Sequence, residues 1–459
     1  MRPIPIFLAA LFAVACGSTT QVVTSPTPAP TGVPTTAPTY PPTFPLATPT
    51  PVGSRTPIPL STPTPIGLDT PGPVGSSTPA PTSGATNVPV DGAPFGPFSK
   101  LDSFPATDAF EVSDVSITPG GFIAVGFGGL NGDDYYGLRQ GIVWTSVDGV
   151  NWIESVDPSL VNVTPYFVVS KGNDLFMAGD LATCSPLVDN CTDVPQAGNG
   201  IWRSTNGGAW ELLTQAPDMQ HGYIDSMFLA GDRLVAYGGA GDDEVTTVWM
   251  SEDGAAWTAT TDLGGMDPVT SMAVGPSGFS AFGTIYDDAA LDVVLVATTS
   301  TDGMHFSAAT APQMDGSGID ALATGPSGMA GVGFRSSLAL DISGVAVHSS
   351  DGLTWTQSTN TDGSFATSGL QTIHALVGGG YVALGYTPRN DDFSLEDGAA
   401  WFSADGSDWA LIARLDGGFS VLNTAQLGPT GVVVFAAEQT DIDEDSVGSV
   451  IHAWFAPLA

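Results

Sequence analysis

The chain is short of basic residues, cysteine and long apolar runs, and each shortage excludes something. Only 10 of its 459 residues are Lys or Arg, against 47 Asp or Glu, for a formal net charge of -37. Nucleic-acid binding needs basic patches that neutralise phosphate, so the composition argues against it. Docking to an anionic membrane surface is disfavoured for the same reason. Cations, cationic partners and neutral glycans remain compatible, and an acidic surface also keeps an exported protein soluble. There is no Gly-rich phosphate loop, no Gly-x-Ser-x-Gly nucleophile elbow and no His-rich metal motif. Past the first 15 residues no stretch sustains helical periodicity.

The one apolar run is Ile4 to Ala15, preceded by Arg2 and ending Ala13-Val14-Ala15-Cys16. It is too short to span a bilayer and has the small-residue ending of a secretory signal. A cysteine directly after those small residues resembles the lipobox of bacterial lipoproteins, with Ala13 where that family has Leu. The resemblance implies removal of residues 1–15 and lipidation of Cys16, hence an exported protein whose only membrane contact is its lipid anchor. Cys184 and Cys191, seven positions apart, are the only other cysteines. In an exported chain one such pair suggests a small local disulfide, with free thiols as the alternative.

Residues 16–93 are Thr, Pro, Ser and Gly with few bulky apolar side chains. Such a segment cannot bury enough surface to offset chain entropy. Its prolines favour extended geometry at roughly 3 Å per residue, a semi-stiff tether.

From residue 94 onward a motif recurs. Ser146-Val147-Asp148-Gly149-Val150-Asn151-Trp152 returns around Asp253 and Trp257, Asp351 and Trp355, and Asp405 and Trp409, with degenerate copies around Asn206 and Asp302. The serines are spaced by 58, 47, 49, 49 and 54 residues. Each repeat holds two apolar-alternating runs, the second ending at a glycine (Gly126, Gly283, Gly385), then a variable loop, a third run, the Asp-Gly turn and a fourth short run. Four short strands make one antiparallel sheet per repeat. Sheets apolar on both faces need neighbours on both sides, and a ring satisfies all of them. Six complete motifs, three further strands after Val421 and a lone strand at Phe98 to Leu101 predict an all-β propeller over 94–459. Seven four-stranded blades are expected, the first strand completing the last sheet; six or eight are the alternatives. The Ser and Asp side chains should accept turn amide hydrogens, and the Trp should fill space between blades.

The motif resembles the Asp-box, or BNR repeat, of sialidase-like propellers, although that family has one more residue between Asp and Gly. The resemblance implies the architecture and is nearly silent on activity, since the motif lies on the turn between third and fourth strands. Sialidases need three arginines, a Tyr nucleophile with a Glu partner and an acidic acid/base. No Phe/Tyr-Arg-Ile-Pro element is present, and only Arg335 and Arg389 are expected at the loop-bearing rim.

Two sets of residues could carry chemistry. Acidic loops on the face opposite the motif, with Asp242, Asp243, Asp443 and Asp445, could collect Ca²⁺; the plain alternative is solvated carboxylates. At the starts of the innermost strands Asp114, Asp225, Ser271, Asp320, His374 and Asn423 place one polar side chain per blade at the channel mouth, able to bind a sugar or cation or merely to wet the channel. The expected function is a monomeric, surface-anchored binding or scaffolding module for a glycan or an envelope protein. The runner-up is an extracellular glycoside hydrolase using rim carboxylates. An assembly factor for another envelope protein stands third.

Overall fold

The computed structural model describes residues 94–106, 109–129, 139–181, 198–214, 219, 222–241, 245–287, 292–314, 317–336, 342–388, 396–419, 421–443 and 446–459. The predicted signal peptide, Cys16 and the tether lie outside the described residues, as do Cys184, Cys191, Asp242, Asp243 and Asp445; Asp443 is described only as backbone.

Seven sheets of four antiparallel strands follow one another along the chain and form the blades of a propeller, the sixth gaining a short parallel edge strand, Thr359–Asn360. Blades 1 to 6 span 109–155, 163–214, 223–260, 269–308, 321–357 and 369–419; blade 7 combines 421–457 with the short strand Ser99–Lys100. The innermost strands are Ala109–Thr118, Val163–Lys171, Tyr223–Ala230, Val269–Gly275, Ala321–Gly325, Gly369–Ala375 and Val421–Leu427. They neighbour one another in chain order, and the first also packs on the last, which closes the ring.

Closure is a joint of backbone and aromatic contacts. Ser99 and Lys100 pair with Phe455 and Trp454, so the start of the domain caps the outer edge of the blade that ends it. The outer edge of blade 7 is thereby reduced to a two-residue strand. Phe95 and Phe98 are buried and meet edge to face at 5.3 Å. Phe104 then wedges between blades 1 and 7, with ring centroids 5.5 Å from Trp144, 5.8 Å from Trp152 and 5.0 Å from Phe435.

Each apolar cluster is shared by two adjacent blades, as where Trp144 and Ala124 of blade 1 pack with Phe435 and Ala453 of blade 7. Trp144, Trp202, Trp249, Trp401 and Trp454 recur on third strands and are all almost fully buried. Burying each removes a large apolar area from water, about 2–3 kcal/mol apiece.

The repeated motif folds into the same turn six times. The serine hydroxyl accepts the glycine N–H at 2.8–2.9 Å in every copy. Asp148 accepts from the N–H groups of Val150 (2.9 Å) and Asn151 (2.8 Å), and Asp253, Asp302 and Asp351 repeat this double bond. Asp405 accepts from Ser407. These bonds, with one from the Asn151 side chain, hold the half-buried Asp148 carboxyl down at about 2. Trp152, Trp257 and Trp409 donate their indole N–H to the carbonyl of the motif glycine. Trp355 does not; it packs edge to face on Phe282 at 4.9 Å, and the Gly352 carbonyl accepts from Ser280 of blade 4 instead.

The motif glycine has two reasons to be glycine. Gly149 has φ 81°, and a Cβ there would lie 2.8 Å from the Phe455 ring of blade 7. Gly172 has φ 63° but open space around it. Gly149→Ala should therefore cost about 3 kcal/mol, strain plus overpacking, while Gly172→Ala should cost about 1 kcal/mol for the left-handed backbone alone. Urea denaturation of both variants measures this. Equal losses would show that the contact between blades at Gly149 is not limiting.

Candidate functional site

Every innermost strand carries a local insertion near its start. Register shifts bracket Ser113 (between Val112 and Asp114), Tyr166, Asp225, Thr270, Gln371 and Asn423. In blade 5, Ile319 and Asp320 occupy the same place, just before the first paired residue, Ala321. A bulge lets one extra residue turn out of the ladder while its predecessor keeps facing the sheet's neighbour. The burial follows that rule. Val112, Pro165, Ile224, Val269, Ile319, Leu370 and Leu422 are buried between blades, and the residue after each retains solvent contact. That next residue is polar in all seven blades.

In six blades a glycine on the second strand lies against the bulge. A Cβ on Gly126, Gly179, Gly238, Gly283, Gly333 or Gly385 would lie 2.0–2.4 Å from a carbonyl oxygen of the innermost strand. These are the glycines that end the second apolar run of each repeat. Blade 7 alone has Ala436 there, opposite Leu422.

The structure divides the predicted ring in two. Asp114, Ser271 and His374 bind the neighbouring innermost strand. Asp114 accepts from Val168 N–H at 2.9 Å and from Val115 N–H at 2.8 Å, with the Thr424 hydroxyl contributing. Ser271 donates to the Ile319 carbonyl at 2.6 Å. His374 Nε2 lies 3.0 Å from the Ala425 carbonyl, which requires the proton on Nε2. Asp225, Asp320 and Asn423 are instead bulge residues. Asp225 and Asp320 both act on the Tyr237 phenol, so they share one side of the channel. On the other side, in blades 6 and 7, the oxygens Gln371 Oε1, Thr372 Oγ1 and Asn423 Oδ1 are buried with no hydrogen-bond partner among the described residues.

Burial sets the electrostatics. Asp114 is pushed up to about 7 against the pull of its hydrogen bonds, and Asp320 to about 7 by burial alone. Asp225 rises to about 6, again by burial, yet it keeps broad solvent contact along the channel, so its shift carries less energy than that of Asp320. His374 is pushed down to about 4, also by burial. Among the described residues no three His, Cys, Asp or Glu side chains group in a way that could hold a metal ion.

A second polar set on the same face has no counterpart in the sequence reading. Tyr166 donates to Asp180 Oδ2 at 2.9 Å. Arg139 lies 4.4 Å above the Phe127 ring, contacts Thr164 Oγ1 at 3.4 Å and acts electrostatically on both Glu111 and Asp180. Both carboxyls are raised by burial, with the Ser113 hydroxyl and Arg139 lowering Glu111, and the Tyr166 hydroxyl and Arg139 lowering Asp180. Arg335 is exposed on the second strand of blade 5, facing Ser343, and Arg389 lies outside the described residues.

No family model matches the chain, and no curated protein matches it. Solved structures resemble it in fold. A protein of unknown function from Dyadobacter fermentans is 16% identical with a TM-score of 0.41, covering 65% of this chain and 96% of its own. Trypanosoma rangeli sialidase is 13% identical with a TM-score of 0.39, over 76% of this chain and 55% of the sialidase. An α-L-arabinofuranosidase from Fusarium graminearum is 14% identical with a TM-score of 0.37, over 63% and 92%.

The raised carboxyls fix a pH dependence. A folded pKa of about 7 for Asp320, above its unfolded value near 3.9, means that the folded state holds the proton longer. Its contribution is present in full below about pH 4 and is lost as pH rises through 7. Asp114 and Asp225 act in the same direction, while His374 works oppositely, losing its contribution as pH falls through 4. Thermal midpoints should therefore fall from pH 5.5 to pH 8, and Asp320→Asn should flatten that slope. An unchanged slope in the variant would mean that Asp320 titrates normally in the folded protein.

Proposed function

We propose that this propeller is a non-catalytic binding module for an extracellular glycan, held at the cell surface by a lipid on Cys16 and raised from the membrane by the segment 16–93. The observation that carries the reading is the axial ring. Seven polar bulge residues each follow a buried apolar residue, and the buried oxygens of Gln371, of its neighbour Thr372 and of Asn423 lack a donor among the described residues. Buried acceptors without partners are rare and call for a donor from outside the protein. Sugar hydroxyls supply such donors in number, and waters hold the places when no sugar is bound. Carboxylates and amides clustered at the mouth of a strongly acidic protein suit a neutral glycan better than an anionic one.

The motif turns, with their resemblance to the Asp-box, belong to the scaffold in this reading. They lie on the opposite face, and their Ser, Asp and Gly groups are spent on the turn itself. A glycoside hydrolase is the second reading, favoured by the two carboxyls raised by burial beside Tyr166 and Arg139. Two such acids can divide the acid and base roles when the spacing suits.

Incubating the full chain with sialylated and neutral glycans, with and without EDTA, separates the readings. Retention without released sugar by mass spectrometry is the expected result. Retention abolished by EDTA would add calcium from the acidic loops. Released sugar would make the protein a hydrolase, and neither retention nor release would turn the search to envelope-protein partners. For the anchor, Cys16→Ser should move the protein from the membrane to the soluble fraction of expressing cells; unaltered fractionation would remove the lipid from the account.

A further inference from the structure

A ring of repeats contains its own controls. The residue two before the bulge, with its partner on the second strand, holds Glu111 in blade 1 and the Thr164–Asp180 pair in blade 2. In blades 3 to 7 the same place holds Tyr223, Pro268, Gly318, Gly369 and Val421, with uncharged partners throughout. Five blades therefore build this part of the propeller without an ionisable pair. Blades 1 and 2 place two carboxyls there, both partly desolvated, and add one of the chain's 10 basic residues beside them. Desolvating carboxylates opposes folding unless something compensates. The scaffold does not require it, so the expense points to use.

We propose that Glu111, Arg139, Tyr166 and Asp180 form a binding site for a neutral sugar at the junction of blades 1 and 2. This rests on the glycan-binding reading and names the class of glycan and the place where it is gripped. The four side chains come from four strands: the first and third of blade 1, and the first and second of blade 2. The junction is stitched by backbone: Asn162 N–H donates to the Arg139 carbonyl at 2.8 Å, and Gln140 bridges to Val161. The site is thus held by strands and their ladder, which positions side chains more firmly than loops do.

The charges select the ligand. An anion would meet two carboxyls around one guanidinium. A cation would meet the guanidinium between those carboxyls. A neutral polyhydroxylated ring matches both, since carboxylates accept its hydroxyl hydrogens and guanidinium N–H groups face its oxygens. Tyr166, half-buried, adds an aromatic face for the sugar's C–H groups. Tyr166 is also the bulge residue of blade 2, so this site and the axial ring meet at one side chain.

Titration calorimetry of the full chain against neutral cello-, xylo-, manno- and arabino-oligosaccharides tests the assignment. One series should bind, and Glu111→Gln and Asp180→Asn should each weaken it by about tenfold, the scale of a lost charge-assisted hydrogen bond. Tyr166→Phe should weaken it several-fold, and the exposed His305→Asn on the opposite face should leave it unchanged. Thermal melting of each variant checks that the ring is intact. Should either carboxyl variant unfold, Tyr166→Phe, which removes one oxygen, carries the test. Binding lost in Asn423→Ala but kept in all three rim variants would overturn this site and leave glycan binding standing. Binding of a sialylated glycan in preference to every neutral one would overturn the ligand class. No binding to any glycan would overturn both readings together.

Discussion

The geometry of this propeller depends on one close approach repeated around its axis. On six second strands a glycine passes so near the innermost strand that a methyl group would sit within about 2.4 Å of a carbonyl oxygen. That proximity is what a bulge needs: the innermost strand kinks toward its partner and turns one extra residue into the channel. Alanine at any of these six positions would force the paired strands to shift locally. Blade 7 shows the tolerance of the arrangement, since it keeps its bulge at Asn423 opposite Ala436.

The Ser-x-Asp-Gly turns do a different job, and the two devices divide the molecule by face. Each turn satisfies its own amides and presses its glycine on a neighbouring blade, as Gly149 does on Phe455 and Gly254 on Phe176. With its polar groups committed internally, that face has little left to offer a ligand. The opposite face holds the bulges and the starts of the innermost strands. Among the described residues its polar groups are incompletely matched, in the unpartnered oxygens of Gln371, Thr372 and Asn423 and in the buried carboxyl of Asp320. Function is expected where the local rules of folding are least satisfied.

How much of this was legible in the sequence follows from the range of each signal. The turn lies within seven residues, so Ser146, Asp148, Gly149 and Trp152 announced it directly. Ring closure was legible too, because a lone strand before blade 1 and three strands after blade 6 can complete each other in only one way. The channel residues were half legible. Counting alternation along a strand treats Asp114, Ser271 and His374 as equivalent to Asp225, Asp320 and Asn423, and a bulge breaks that count. The first three sit past the bulge and bond to the next blade; the other three sit on it. The glycines at 126, 283 and 385 were visible as the ends of apolar runs, and a glycine that ends a strand run where a turn is not yet due signals a bulge. The cluster of Glu111, Arg139, Tyr166 and Asp180 gave no comparable signal, being drawn from four strands.

Repetition turns that last difficulty into an argument. In a protein of unique architecture, a buried pair of acids beside an arginine is ambiguous, since structural ion pairs perturb titration as readily as functional ones do. Here the fold states its structural requirement seven times. Apolar residues before each bulge, and glycine opposite in six of the seven blades, are common features, and stability accounts for them. Asp114 is unusual but explained, because its carboxylate ties three blades through Val168 and Thr424. Glu111 and Asp180 sit at a strand position that uncharged residues occupy in the other five blades, with the added burden of desolvation beside Arg139. A departure at this strand position in two adjacent blades, costly to folding, is the signature that selection for a ligand would leave in a repeated scaffold.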